Sequence, residues 1–173
     1  MALPAQAAES TQSVVDRPLM SRIIGGTVSD EGAWPWMVAL TFNEWTGSWT
    51  DTQFCGGSLI HSQYVLTAAH CVDGLIPTDL SVVYGSNNLA SSGGTEVQVE
   101  SIIMHESYDR VTLKHDIALL KLVQPLQLEV ISVANSGQLA ALPDRELLMT
   151  MGWGVTSTAA GTSEDQLRQV ELP

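Results

Sequence analysis

Leu66-Thr67-Ala68-Ala69-His70-Cys71 is the stretch from which the rest of the chain can be read. An apolar run beginning at Tyr64 ends here in two alanines, then a histidine, then a cysteine. The order reads as the end of a buried strand. Small residues let the backbone pack tightly before His70, and the cysteine after it can fix the loop covalently. A histidine tethered in this way holds its orientation, as a general base must. Taken alone, the same residues also describe a half-buried structural histidine.

Further stretches lie on either side of it. Arg22-Ile23-Ile24-Gly25-Gly26 and Cys55-Gly56-Gly57-Ser58-Leu59-Ile60 come before the His70 stretch, and Asp116-Ile117-Ala118-Leu119-Leu120-Lys121-Leu122 and Gly152-Trp153-Gly154 follow it. In this order and spacing the series closely resembles the trypsin-like (chymotrypsin-fold) serine endopeptidases, from about Arg22 to the last residue. The resemblance implies an all-β, chymotrypsin-like double β-barrel, with the first barrel complete and the second truncated after its first hairpin. It makes His70 the match for the catalytic base and Asp116 the match for the carboxylate that orients it. The family's serine nucleophile has no match in these residues. Ser92-Gly93-Gly94 mimics part of its motif, but lacks the preceding Gly-Asp and stands before Asp116; it reads as a loop.

The resemblance also settles the two cysteines, which by number alone could be free thiols. A disulfide between Cys55 and Cys71 closes the histidine loop in the family and implies an oxidising compartment. Arg22-Ile23 is the expected activation bond, since the other candidate, Arg17, is followed by Pro18. In the family, cleavage there frees an α-amino group that pairs with an aspartate beside the serine. Ile23 matches that new N-terminus, and the aspartate has no match. Leu148 stands where many animal members carry a further cysteine.

Composition limits the other function classes. Seven basic against nineteen acidic residues give a net charge of -12, which disfavours a nucleic-acid partner or an anionic membrane surface. Two cysteines are too few for a zinc site on their own, and no His-x-x-x-His pattern occurs. Calcium is not expected either. Ser86 occupies one position where several relatives carry a glutamate ligand, and only Glu96 remains near the other. No metal or cofactor is implied.

Residues 1–22 lack helical or strand periodicity and read as a signal-peptide remnant with a propeptide, or as an N-terminal arm. Ala5-Gln6-Ala7 has the small-x-small pattern of a signal-peptidase site. Residues 23–134 are expected to form the first barrel, 135–145 an interdomain crossing, and 146–173 the start of the second barrel. Strands are predicted over Trp36–Phe42, Phe54–Ile60, Tyr64–Ala68, Leu80–Tyr84 and Thr95–Met104. The last of these alternates Val97 and Val99 with Glu96, Gln98 and Glu100, as a half-exposed strand does. Asn43–Thr52 reads as a loop whose tryptophans, Trp45 and Trp49, pack onto their own barrel. His115-Asp116 is expected to open an apolar strand, Leu122–Ala134 to carry the last apolar segment, and Glu146–Gly154 and Leu167–Leu172 to pair. His61, His105 and His115 are taken as surface residues.

The expected function is that of a secreted, or periplasmic, serine endopeptidase zymogen, here lacking the nucleophile and inactive by itself. Its partners would be protein or peptide substrates, an activating trypsin-like protease and protein inhibitors. The alternatives are a non-catalytic, protease-like binding module and a purely structural barrel. Retention of His70, Asp116 and Arg22-Ile23 together favours the protease.

Overall fold

The computed structural model describes residues 26–43, 48–91, 93–143, 146–154 and 165–172. Its strands are β1 (Thr27–Val28), β2 (Met37–Phe42), β3 (Gln53–His61), β4 (Tyr64–Thr67), β5 (Leu80–Tyr84), β6 (Thr95–Met104), β7 (Ala118–Leu122), β8 (Leu148–Gly152) and β9 (Arg168–Leu172). Two short helices, α1 (Trp49–Thr52) and α2 (Ser136–Ala140), and two single 3-10 turns complete the set.

Six strands close into a barrel in the order β2-β3-β4-β7-β6-β5, with β5 returning to β2. All the pairs are antiparallel. Period-2 side-chain alternation decides which residues fill it. On β7, Ala118, Leu120 and Leu122 point inward, and on β6 Val97 and Val99 do so between exposed Glu96, Gln98 and Glu100. They meet Val38, Leu40, Leu59, Val65, Leu80 and Val82, all fully buried, while Phe42 stacks on Phe54 at 4.0 Å between ring centroids. Gly57 is required by this packing. A Cβ there would lie 2.6 Å from Val65 Cγ1 and 3.0 Å from the Leu66 carbonyl oxygen.

The second sheet has three strands in the order β1-β9-β8. β1 lies within the stretch expected for the first barrel, yet it pairs with β9 through Thr27–Gln169 and Val28–Arg168. A second apolar cluster joins this sheet to the barrel, built from Ala39, Val83, Leu89, Trp153 and Leu167. Asn87 fastens the junction: its carbonyl oxygen accepts from Trp153 Nε1 at 2.9 Å and from the Leu167 N–H at 2.6 Å.

Several elements differ from expectation for local reasons. The 43–52 loop contains α1, because Ser48 caps it and Asp51 returns a bond to the Ser48 N–H. Trp49 packs against the second cluster as expected of it, and Gly94 leaves room for its ring; Trp45 and Ser92 lie outside the described residues. The crossing contains α2, capped by Asn135 and Gln138 in the same manner. Residues 123–134 form no strand, but Leu126 N–H donates to Ser62 and Ile131 N–H to Leu59, which holds the segment along the barrel. His115 and Asp116 precede β7 rather than opening it, since His115 adopts a left-handed φ of 56°.

Candidate active site

At the end of β4, Thr67 leads through extended Ala68 into the 3-10 turn Ala69–Cys71. Ala69 is fully buried, which only a small side chain permits where the turn meets the barrel. Cys71 is joined to Cys55 of β3 in a disulfide, with their Cα atoms 6.2 Å apart. A loop of this length stabilises the native chain by about 3 kcal/mol on the chain-entropy account. His70 is therefore held from both sides, with its ring partly open to solvent.

Asp116 meets His70 twice. Its Oδ2 lies 2.6 Å from the ring Nδ1, and its Oδ1 accepts the His70 main-chain N–H at 2.8 Å. Burial pushes the Asp116 carboxyl upward. The bonds from the His70 ring and main chain, the His70 charge and the Ala69 N–H outweigh it, leaving the pKa below its ordinary value. An ionised carboxylate can only accept, so Nδ1 carries the proton of the neutral ring and Nε2 keeps its lone pair. That arrangement equips Nε2 to take a proton and the carboxylate to stabilise the imidazolium that results.

The nearest partner of Nε2 is Cys71 Sγ at 3.5 Å. Cys55, His70 and Cys71 thus place three ligand-type atoms within 4.8 Å of one another. Both sulfurs are bonded to each other, so the oxidised cluster offers a metal only the one nitrogen. Arg22 and Ile23 lie outside the described residues.

Three residues beside the pair carry no motif that would have revealed them. Arg110 Nη2 reaches Asp73 Oδ1 at 2.8 Å, linking the loop that follows His70 to the segment that leads to Asp116. Tyr108 packs against the barrel core; burial, then the negative charges of Asp116 and Asp73, raise its pKa. His61, His105 and His115 are all exposed, as expected. His105 and His115 nevertheless stack on each other, with centroids 4.7 Å apart and planes 12° from parallel.

A family model described as Trypsin matches residues 23–173. The chain belongs to the trypsin family. It is 35% identical over 158 residues to brachyurin of Leptuca pugilator, covering 87% of this chain and 64% of that protein. With chymotrypsin-like elastase family member 1 of Macaca fascicularis the identity is 37% over 164 residues, covering 88% and 58%. Among solved structures, the VesB protease of Vibrio cholerae superposes with a TM-score of 0.73 at 33% identity, covering 87% of this chain and 44% of that one. This trypsin-family chain thus spans less than two thirds of the length of each of these relatives. Its fold is chymotrypsin-like: one closed six-stranded barrel, with β8 and β9 forming the hairpin expected to open a second.

Proposed function

We infer that this chain supplies the histidine–aspartate half of a secreted serine endopeptidase made as a zymogen. The bond between His70 Nδ1 and Asp116 Oδ2, backed by the His70 main-chain N–H, carries the reading. His70 is the general base and later the general acid, and Asp116 is the residue that orients it. In the acyl transfer of this family, a serine oxygen attacks the peptide carbonyl as Nε2 takes its proton. Nε2 then returns that proton to the leaving amine as the C–N bond breaks, and water repeats the two steps on the acyl-enzyme.

The 173 residues contain no Gly-Asp-Ser-Gly-Gly stretch, so the chain alone does not hydrolyse peptides. Activation is by cleavage of Arg22-Ile23, and the substrates are proteins or peptides. The disulfide supports secretion, or a periplasmic location, because such bonds persist in oxidising compartments. Residues 23–134 supply the first-barrel unit, apart from β1, which joins the second sheet; 135–145 act as the crossing and 146–173 as the opening of the second barrel.

The test is to read the coding sequence downstream of the Pro173 codon and express the whole frame. After cleavage at Arg22-Ile23, the product is expected to hydrolyse fluorogenic peptides. His70→Ala should lower kcat by roughly 10⁵- to 10⁶-fold, as loss of the triad histidine does in serine proteases. An immediate stop codon, or a whole-frame product without turnover, would sink the endopeptidase reading and leave the binding module.

A further inference from the structure

The segment between β6 and β7 brings Asp116 to His70 through an uncommon backbone path. Leu113 and His115 both adopt left-handed conformations, at φ 53° and 56°. Residues with side chains rarely do so, and they need support from their surroundings. Part of that support is local. Asp109 Oδ1 accepts the N–H groups of Val111 at 2.8 Å and Thr112 at 3.2 Å, and the Asp109 N–H donates to the Lys114 carbonyl.

The rest comes from two rings. His115, the residue directly before Asp116, lies flat against His105. His105 Nδ1 in turn accepts the Ser107 N–H at 3.1 Å, which places the proton of its neutral ring on Nε2. Main-chain bonds run from His105 N–H to the Ile117 carbonyl and from Ile117 N–H to the His115 carbonyl. Both ends of the stack are therefore tied to the residue that follows Asp116.

We propose that His105 and His115 are positioning residues, whose stack holds the left-handed turn that presents Asp116 to His70, and that acid opens this stack. Histidine is the side chain that ordinarily changes charge between pH 5 and 8. A protonated imidazole has two donors and no acceptor, so protonating His105 at Nδ1 sets a donor against the Ser107 N–H. Protonating both rings puts like charges face to face. The other charged or titratable groups near the pair are Glu106, Tyr108, Asp109, Arg110, Lys114 and Asp116, all on the same segment. Groups of these kinds ordinarily keep one charge state over that range. From the facing elements, His70 meets Asp116 and Asp73 meets Arg110, while the groove that His105 borders is lined by apolar side chains, among them Ile60, Leu66 and Val133.

The inference rests on the reading of His70 and Asp116 as catalytic partners, but its test follows the turn and not turnover, so either can fail alone. Amide hydrogen exchange in the 173-residue chain is measured at the His70 N–H, which donates to Asp116 Oδ1. The Leu122 N–H, bonded to the Gln63 carbonyl within the barrel, serves as reference. After correction for intrinsic exchange, the relative protection of His70 is expected to fall about tenfold from pH 7.5 to 5.0. Protonation of the His70 ring by itself strengthens the bond to Asp116, so a pair without the stack gains protection in acid. The two signs are opposite. His105→Phe keeps a flat ring that cannot titrate and should lose the acid fall. His105→Asn keeps an acceptor but no ring, and should lower protection already at pH 7.5. Rising or unchanged protection in the unaltered chain, or an equal acid fall in His105→Phe, would overturn the proposal. So would full protection at pH 7.5 in His105→Asn.

Discussion

The barrel and the three-stranded sheet are made of similar strands but are held in different ways. Every barrel strand has a partner on each side, and its inward side chains are almost wholly buried. Among the described residues the sheet has two open edges, and near β8 it exposes Leu147 and Leu148, each at 55%. It stays in place through Trp153, Leu167 and the Asn87 carbonyl. Closure makes one region stable from within, whereas the other depends on what it is docked against. His70, Asp116 and the disulfide all belong to the barrel side of this division, so their geometry does not need the sheet.

That difference can be broken most forcefully at the junction. Trp153→Ala should weaken docking of the sheet by about 4 kcal/mol. In hydrogen exchange the β8 and β9 amides are expected to lose protection while those of β7 keep theirs. Simultaneous loss in both regions would show them to be one cooperative unit. Leu120→Ala, in the barrel centre, should lower global stability by about 3 kcal/mol, read as a reduced urea midpoint.

Acid gives a smaller and more local handle. Burial raises the Asp116 carboxyl, and its bonds to His70 lower it further, to a net value below the ordinary one. A depressed folded pKa means stability that is complete above the unfolded value of about 4 and is lost as pH falls through the folded value. Asp116→Asn should therefore flatten part of the decline in stability below about pH 4. An unchanged acid profile would show that the carboxylate gains nothing from His70. At the exposed edge, Leu148→Ser is expected to shift stability by less than about 0.5 kcal/mol. A larger loss there would mean that β8 is covered in solution.

What the sequence made legible follows the same division. Strict alternation identified β6, and the Ala69-His70-Cys71 order located the turn that bears the candidate base. Such signals are local, so they survive without knowledge of the fold. The helices α1 and α2 did leave capping residues, Ser48 with Asp51 and Asn135 with Gln138, but at one turn each they have no periodicity to detect. His115 and Asp116 were expected to open an apolar strand; they lie before β7 instead, and the left-handed turn at His115 is stabilised by a ring ten residues earlier. Tyr108 and the Asp73–Arg110 pair were invisible because nothing in their spacing records a contact across two loops. The partner of β1 was out of reach for the same reason.

The pairing of β1 with β9 also imposes a schedule on the chain. Thr27 finds its neighbour at Gln169, so during synthesis β1 waits until β9 has been made. At ordinary ribosomal rates of about 5 to 20 residues per second, the interval is on the order of ten to thirty seconds. The six barrel strands are all made once Leu122 has appeared, well before that wait ends. Gly26, whose carbonyl accepts from Arg168, is thus anchored after the barrel has had time to close.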